Sequence, residues 1–202
     1  MSENQLIHTV FPNNISLYIK REDLLHPIIS GNKFRKLKYN LEEAKKQNQK
    51  VLLTFGGAFS NHIVAVAGAG KEFGFKTIGI IRGEELQDKI SENPSLLQAQ
   101  QLGMKFAFVT REQYRLKETP DFIEQLQKDY GDFYLLPEGG TNEYAIKGCE
   151  EILTEADAEF THICSSIGTG GTITGIINSS NLKQQIIGFS SLKGGFLSDV
   201  IR

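Results

Sequence analysis

The sequence predicts an α/β protein with largely parallel sheets. Two observations carry that prediction. Apolar runs of strand length alternate with segments of helical period along nearly the whole chain, an order that reads as strand-helix-strand units. Glycine-rich turns stand at the ends of several of those runs and lead into the next helical segment. There is no internal repeat and no low-complexity linker.

The elements follow in order. Ile15 to Ile19 alternates like a half-buried strand. From Phe34 to Gln47 the apolar positions Phe34, Leu37, Leu41 and Ala44 fall at helical spacing. Val51 to Phe55 is a continuous apolar run suited to a buried strand, and Ser60 is placed to cap a helix reaching about Phe73. Thr77 to Ile81 is the next strand. Pro94 suits a first helical position and Gly103 closes that helix. Lys105 to Val109 is a strand, and Thr119-Pro120-Asp121 opens a helix that Gly131 ends. Then come a strand at Phe133 to Leu136, a helix at Tyr144 to Leu153, a strand at Thr161 to Ser165, a helix at Thr172 to Asn178 and a strand at Gln185 to Phe189. A short amphipathic stretch, Phe196 to Ile201, follows, and the alternation stops at Arg202 with no closing element.

Composition bounds the function. At about 150 residues per domain, 202 residues make one domain and a part. With 40% apolar residues the chain supports a core, which excludes disorder and fibrous structure. The 22 basic and 24 acidic residues nearly balance, which argues against nucleic acid or a membrane surface as partner. Cys149 and Cys164 are too few for a disulfide framework. The N-terminus shows no signal pattern, and no apolar run has a spanning length. A soluble cytoplasmic protein is the expectation. The histidines, cysteines and acids show no metal-ligand spacing, so no metal is expected.

Three turns could carry chemistry. In Ser30-Gly31-Asn32-Lys33-Phe34-Arg35-Lys36, a turn delivers Lys33 to the start of a helix. The helix dipole and the neighbouring Arg35 and Lys36 disfavour a charged amine there, which makes it a better nucleophile. A solvated basic first turn accounts for the same residues. Gly56-Gly57-Ala58-Phe59-Ser60-Asn61-His62 follows a strand and opens a helix, the geometry of an anion site for a carboxylate or phosphate. An ordinary tight turn with a cap reads equally well. Ser166-Ile167-Gly168-Thr169-Gly170-Gly171-Thr172 offers the backbone and hydroxyl donors of a phosphate cradle, and a flexible loop is the weaker reading of the same residues. No lysine follows its glycines, so it is not a nucleotide-triphosphate loop. It also lacks the third glycine of the dinucleotide fingerprint, so a monophosphate fits better. Pro137 to Asn142 is a similar turn, which a helix cap alone also explains. His26 and His162 read as structural, Cys164 as a residue that packs or lines a pocket, and Glu150-Glu151 as a solvated helix face. An amine and a monophosphate cradle at the carboxyl ends of strands together suit pyridoxal 5'-phosphate.

At this point the chain resembles the fold-type II pyridoxal-phosphate enzymes, and more closely the 1-aminocyclopropane-1-carboxylate deaminase / D-cysteine desulfhydrase group. The residues that carry the likeness are 20–24 (Lys-Arg-Glu-Asp-Leu), 31–37, 57–62, 93–97, 137–142 and 168–172, in the family order. The resemblance implies a two-domain, three-layer fold of the tryptophan synthase β-subunit type with mostly parallel twisted sheets. Residues 1–39 and 139–202 would form an incomplete large domain and 40–138 a small one. It implies that Lys33 holds the cofactor aldehyde and later shuttles protons, and that Asn61 meets the phenolic oxygen. Ser60, with the backbone N–H groups of Asn61 and His62, would hold the substrate carboxylate, and Ser60 would join in proton transfer. Gly168, Thr169, Gly170, Gly171 and Thr172 would bind the phosphate.

The implied activity is a lyase or deaminase acting on a small amino acid, working as a homodimer. D-cysteine and the cyclopropane amino acid remain open as substrates, and so does a catalytically silent cofactor-binding protein. Two departures stand out. Phe59 occupies a position where many members have Gln. Members also run to roughly 300 residues, a two-domain length, so a C-terminal part with the pyridine-nitrogen partner is expected to be missing.

Overall fold

The computed structural model describes residues 2–191; the stretch Phe196 to Ile201 lies outside them. The chain opens with an antiparallel ribbon of β1 (Asn4–Leu6) and β2 (Tyr18–Lys20). The strand expected from Ile15 therefore starts later. Pro12–Asn14 forms a 3-10 turn with Asn13 and Asn14 at positive φ, and the chain uses residues 15–17 to leave it. Lys20 anchors the ribbon by an ion pair of 2.8 Å to the buried Asp157.

Helix α1 (Asn32–Lys46) buries Leu37, Leu41 and Ala44 as its period requires, but the same stripe also buries Lys36 and Asn40. The main sheet holds β3 (Val51–Gly56), β4 (Lys76–Arg82), β5 (Lys105–Val109) and β6 (Tyr134–Leu136) in the order β5-β4-β3-β6, all parallel. Successive side chains of β3 point to opposite faces. Leu52 packs with α1, α2 (Asn61–Phe73) and α3 (Pro94–Gln101), while Leu53 and Phe55 pack with Tyr114 and Leu126 of α4 (Arg111–Arg115) and α5 (Pro120–Tyr130). These three layers bury side chains worth roughly 2 kcal/mol each. The short helix α4, held by a Thr110–Gln113 capping box, is one the periodicity does not predict.

A second pair of parallel strands, β7 (His162–Ile167) and β8 (Gln185–Ser190), packs with α6 (Glu143–Cys149) and α7 (Gly171–Ser179). Helix α6 ends four residues before the expected Leu153. Glu151 and Ile152 donate to Gly148 and Cys149, three residues back, so the chain tightens and turns away. Among the described residues no helix is long and apolar enough to cross a membrane.

The order of the main sheet locates the site. From β3 the chain moves outward to β4 and β5, then returns to place β6 on the other side of β3. The turns leaving β3 and β6 therefore diverge, and ligands bind in the crevice between such turns. Those turns are residues 57–60 and 137–140.

Candidate functional site

A cleft of about 1310 Å³ opens at the carboxyl ends of β3, β4, β6 and β7. Lys33, Ser60, Asn61, His62, Gly168, Thr169, Gly170 and Thr172 all line it. Gly171 does not. It is buried at the start of α7, where a Cβ would press on Thr141 Cγ2 at 2.8 Å, so its part is close backbone packing.

Helix α1 presents Lys33 to the crevice, where Nζ donates to the carbonyl of Gly139 at 3.1 Å. Burial lowers its pKa. The neighbouring cation Arg35, expected to contribute, turns away: its guanidinium grips Glu22 at 2.9 and 3.0 Å. The larger surprise is Lys36, one turn further and 2% exposed. Its Nζ donates to the same Gly139 carbonyl at 3.1 Å, to Thr141 Oγ1 at 2.8 Å and to Thr169 Oγ1 at 3.3 Å. Burial first, and then the nearby Lys33, push its pKa down to about 7. Gly139 accepts both amines because its φ of 67° turns its carbonyl inward, in a region glycine alone adopts freely.

A buried polar network sets that turn. Asn40, fully buried, donates to Asn142 Oδ1 at 3.1 Å and accepts from Asn142 Nδ2 at 2.7 Å and Tyr134 Oη at 3.1 Å. Asn142 in turn caps α6 through Ala145 N at 2.9 Å. The 137–142 turn is thus both a helix cap and the floor of the cleft. Asn32 Nδ2 donates to Thr172 Oγ1 at 2.7 Å, which ties the start of α1 to the glycine loop.

On the opposite wall, Ser60 Oγ accepts from Ile63 N at 3.4 Å and caps α2. The first-turn N–H groups of α2 have no helical acceptor and face the crevice with the positive end of the helix dipole. Asn61 is exposed in the cleft, whereas the His62 ring is buried. Thr54 Oγ1 donates to the Leu136 carbonyl at 2.9 Å, so it accepts from His62 Nε2 at 2.8 Å. Burial, then Lys33 and Lys36, hold the imidazole neutral. His62 therefore offers the cleft its backbone N–H, while its ring joins β3 to α2. Phe59 is 78% exposed and stands in the cleft with its ring free.

Several expectations change. Cys164 is exposed and lies off the cleft. Glu150 and Glu151 are not a solvated face: Glu151 pairs with Arg35 and Lys38 and accepts from Tyr39, and Glu150 accepts from Asn178. His26 keeps the structural part expected of it, accepting from the backbone N–H groups of Ile28 and Ile29, while the exposed His162 ring meets the hydroxyl of its neighbour Thr161. Lys36, Thr141 and Gly139 are the site residues the sequence reading passed over. The available signal was the pair Lys36 and Asn40, polar residues four apart on the apolar stripe of α1.

The donors suit a phosphorylated aldehyde. Lys36 Nζ, the Thr169 and Thr172 hydroxyls and the first-turn N–H groups of α7 gather at one end of the cleft. Lys33, a lowered amine, stands beside them. Gly139 and Thr169 leave no slack between the two turns, since a Cβ at Gly139 would meet Thr169 Cγ2 at 2.8 Å.

Comparison with known proteins agrees. The family model described as pyridoxal-phosphate dependent enzyme matches residues 9–190. A Thermotoga maritima protein, whose name assigns it provisionally as a 1-aminocyclopropane-1-carboxylate deaminase, is 34% identical over 169 residues, covering 80% of this chain and 53% of that protein. The bifunctional D-cysteine desulfhydrase/1-aminocyclopropane-1-carboxylate deaminase, mitochondrial, of Arabidopsis thaliana is 32% identical, over 89% of this chain and 49% of its own length. A crystal structure of an ACC deaminase homologue superposes with a TM-score of 0.79 at 26% identity, covering 99% of this chain and 63% of that one. The chain spans about half the length of the curated relatives it matches.

Proposed function

Since the chain belongs to the pyridoxal-phosphate dependent enzyme family, we infer that it carries the cofactor-holding and substrate-amine chemistry of a lyase or deaminase acting on a small amino acid, of the D-cysteine desulfhydrase or 1-aminocyclopropane-1-carboxylate deaminase type. One observation carries this reading: Lys33 and Lys36 converge on one carbonyl between a glycine loop and the start of α2. When bound, the cofactor supplies an electron sink for breaking a bond at the substrate Cα.

The chain's own residues do the rest. Lys33, with its pKa lowered by burial, gives up its proton more easily than an exposed lysine and offers a nucleophilic amine. Returned to the free amine, it takes and gives protons at Nζ. Lys36 faces Thr169 and would balance phosphate charge, with Thr172 and the backbone N–H groups of Gly168, Thr169 and Gly170 placed to donate beside it. The N–H groups of Asn61 and His62, with the Ser60 hydroxyl, hold the substrate carboxylate, and Asn61 orients the ring oxygen. The same reading carries a division into 1–39 with 139–202 and 40–138, a homodimer and a cytoplasmic location.

Purified chain incubated with pyridoxal 5'-phosphate should gain an absorption band near the visible edge. Borohydride should then fix the cofactor on Lys33, as read by mass spectrometry, and Lys33→Ala should stay colourless. Pyruvate from D-cysteine, or 2-oxobutanoate from the cyclopropane amino acid, identifies the reaction. Protein that takes up no cofactor overturns the reading. Cofactor uptake without release of either keto acid points to the silent binding protein instead.

A further inference from the structure

Four charged side chains line the cleft: Lys33, Lys36, Arg82 and Glu138. Three are engaged. Lys33 and Lys36 donate to Gly139, and Glu138 pairs with Lys117 at 3.4 Å. Arg82 is different. It is exposed at the end of β4, and its side chain makes no hydrogen bond or ion pair among the described residues. A ring rather than a carboxylate seats it: its guanidinium carbon lies 5.6 Å from the centroid of Tyr114. That ring is itself fixed, 3% exposed and edge-on to Phe55 at 6.2 Å. Arg82 Nη2 stands 3.7 Å from where a Cβ on Gly57 would lie, against the turn that opens α2. An aromatic seat holds the fork in place without neutralising it. The charge therefore remains available to a ligand.

We propose that Arg82 determines specificity by receiving an anionic group on the substrate side chain while the start of α2 holds the α-carboxylate. The inference rests on the proposed reading of the cleft as an amino-acid site, and it narrows the substrate class. Of the two substrate types above, D-cysteine can present an anionic side chain and the cyclopropane amino acid cannot. A guanidinium fork matches a carboxylate bidentately, and it leaves a neutral amide of the same shape with poorer partners.

Aspartate and asparagine, which differ in that charge alone, test it. Each enantiomer is titrated into cofactor-loaded chain, and the shift of the cofactor band gives the dissociation constant. Aspartate of the accepted hand should bind at least about tenfold more tightly than asparagine. Arg82→Gln should remove the preference by weakening aspartate, leaving asparagine within about twofold, and Arg82→Lys should retain part of it. Equal binding of the two ligands by the unaltered chain, or equal weakening of both by Arg82→Gln, overturns the proposal. The cofactor-free chain answers separately through ligand-observed NMR with succinate and succinamate. If the chain takes no cofactor, the proposed function fails, yet an Arg82-dependent preference for succinate still supports the anion role. Its absence refutes that role.

Discussion

Replacing Lys36 with methionine should flatten the rise of stability with pH between about 7 and 9. In the folded chain the amine is 2% exposed and its pKa stands at about 7 against an ordinary 10.5, because of burial first and Lys33 second. In that window the unfolded chain keeps a proton the folded chain has released, so raising the pH favours folding. Below pH 7 both states are protonated and the contribution is constant. One proton changes stability by about 1.4 kcal/mol per pH unit. The unaltered chain should therefore gain roughly 2 to 3 kcal/mol over Lys36→Met across those two pH units. Lys33, lowered by burial, adds the same sign in both proteins. Cys149 and His62 both feel Lys36, but their ordinary values of 9.0 and 6.5 lie at or beyond the edges of this window, so the difference reports chiefly Lys36. The variant loses the three Lys36 hydrogen bonds but leaves none of their acceptors without a partner. The Gly139 carbonyl retains Lys33, and the Thr141 and Thr169 hydroxyls retain each other at 2.5 Å. Urea unfolding of cofactor-free protein, followed by circular dichroism at fixed ionic strength in half-unit pH steps, gives the two curves. Parallel curves would refute the lowered amine, and with it the account of how the two lysines share one carbonyl.

Thr54→Val should cost about 1–3 kcal/mol in urea unfolding, because His62 Nε2 and the Leu136 carbonyl both lose their buried partner. Gly148→Ala should destabilise by more than about 2 kcal/mol in thermal melts: the added Cβ would overlap the Arg35 carbonyl, which is backbone of a packed helix and cannot swing aside. A melt unchanged to within a degree would count against that close α1–α6 approach. Asp157→Ala should cost roughly 3 kcal/mol at neutral pH, since Lys20, 16% exposed, is left without its carboxylate. Asp157→Asn, which retains an acceptor for Thr154 and Lys20, should lose less by the same measurement.

Much of the fold is legible along the chain. The apolar run at Val51 to Phe55 is β3, Ser60 does cap α2, Pro94 does open α3, and Gly131, at a φ of 73°, does end α5. Each depends on forces that act within a few residues. Features set by longer-range context are less legible. The strand at Ile15 depends on how a surface ribbon pairs, and the end of α6 depends on where the chain must turn toward Asp157. The capping box at Thr110 and Gln113 was a local signal for α4 that a search by apolar period overlooks.

The candidate site divides along the same line. Sequence alone located the glycine loop, the cap at Ser60 and Lys33 at the start of a helix, because backbone turns and helix starts are encoded by the residues that form them. Lys36, the Gly139 carbonyl, the buried His62–Thr54 pair and the seat of Arg82 on the Tyr114 ring were decided only by tertiary structure. Burial and charge proximity are set by which distant segments meet. Here it is the return of β6 beside β3 that brings residue 139 within reach of residues 33 and 36 and makes two lysines share one acceptor.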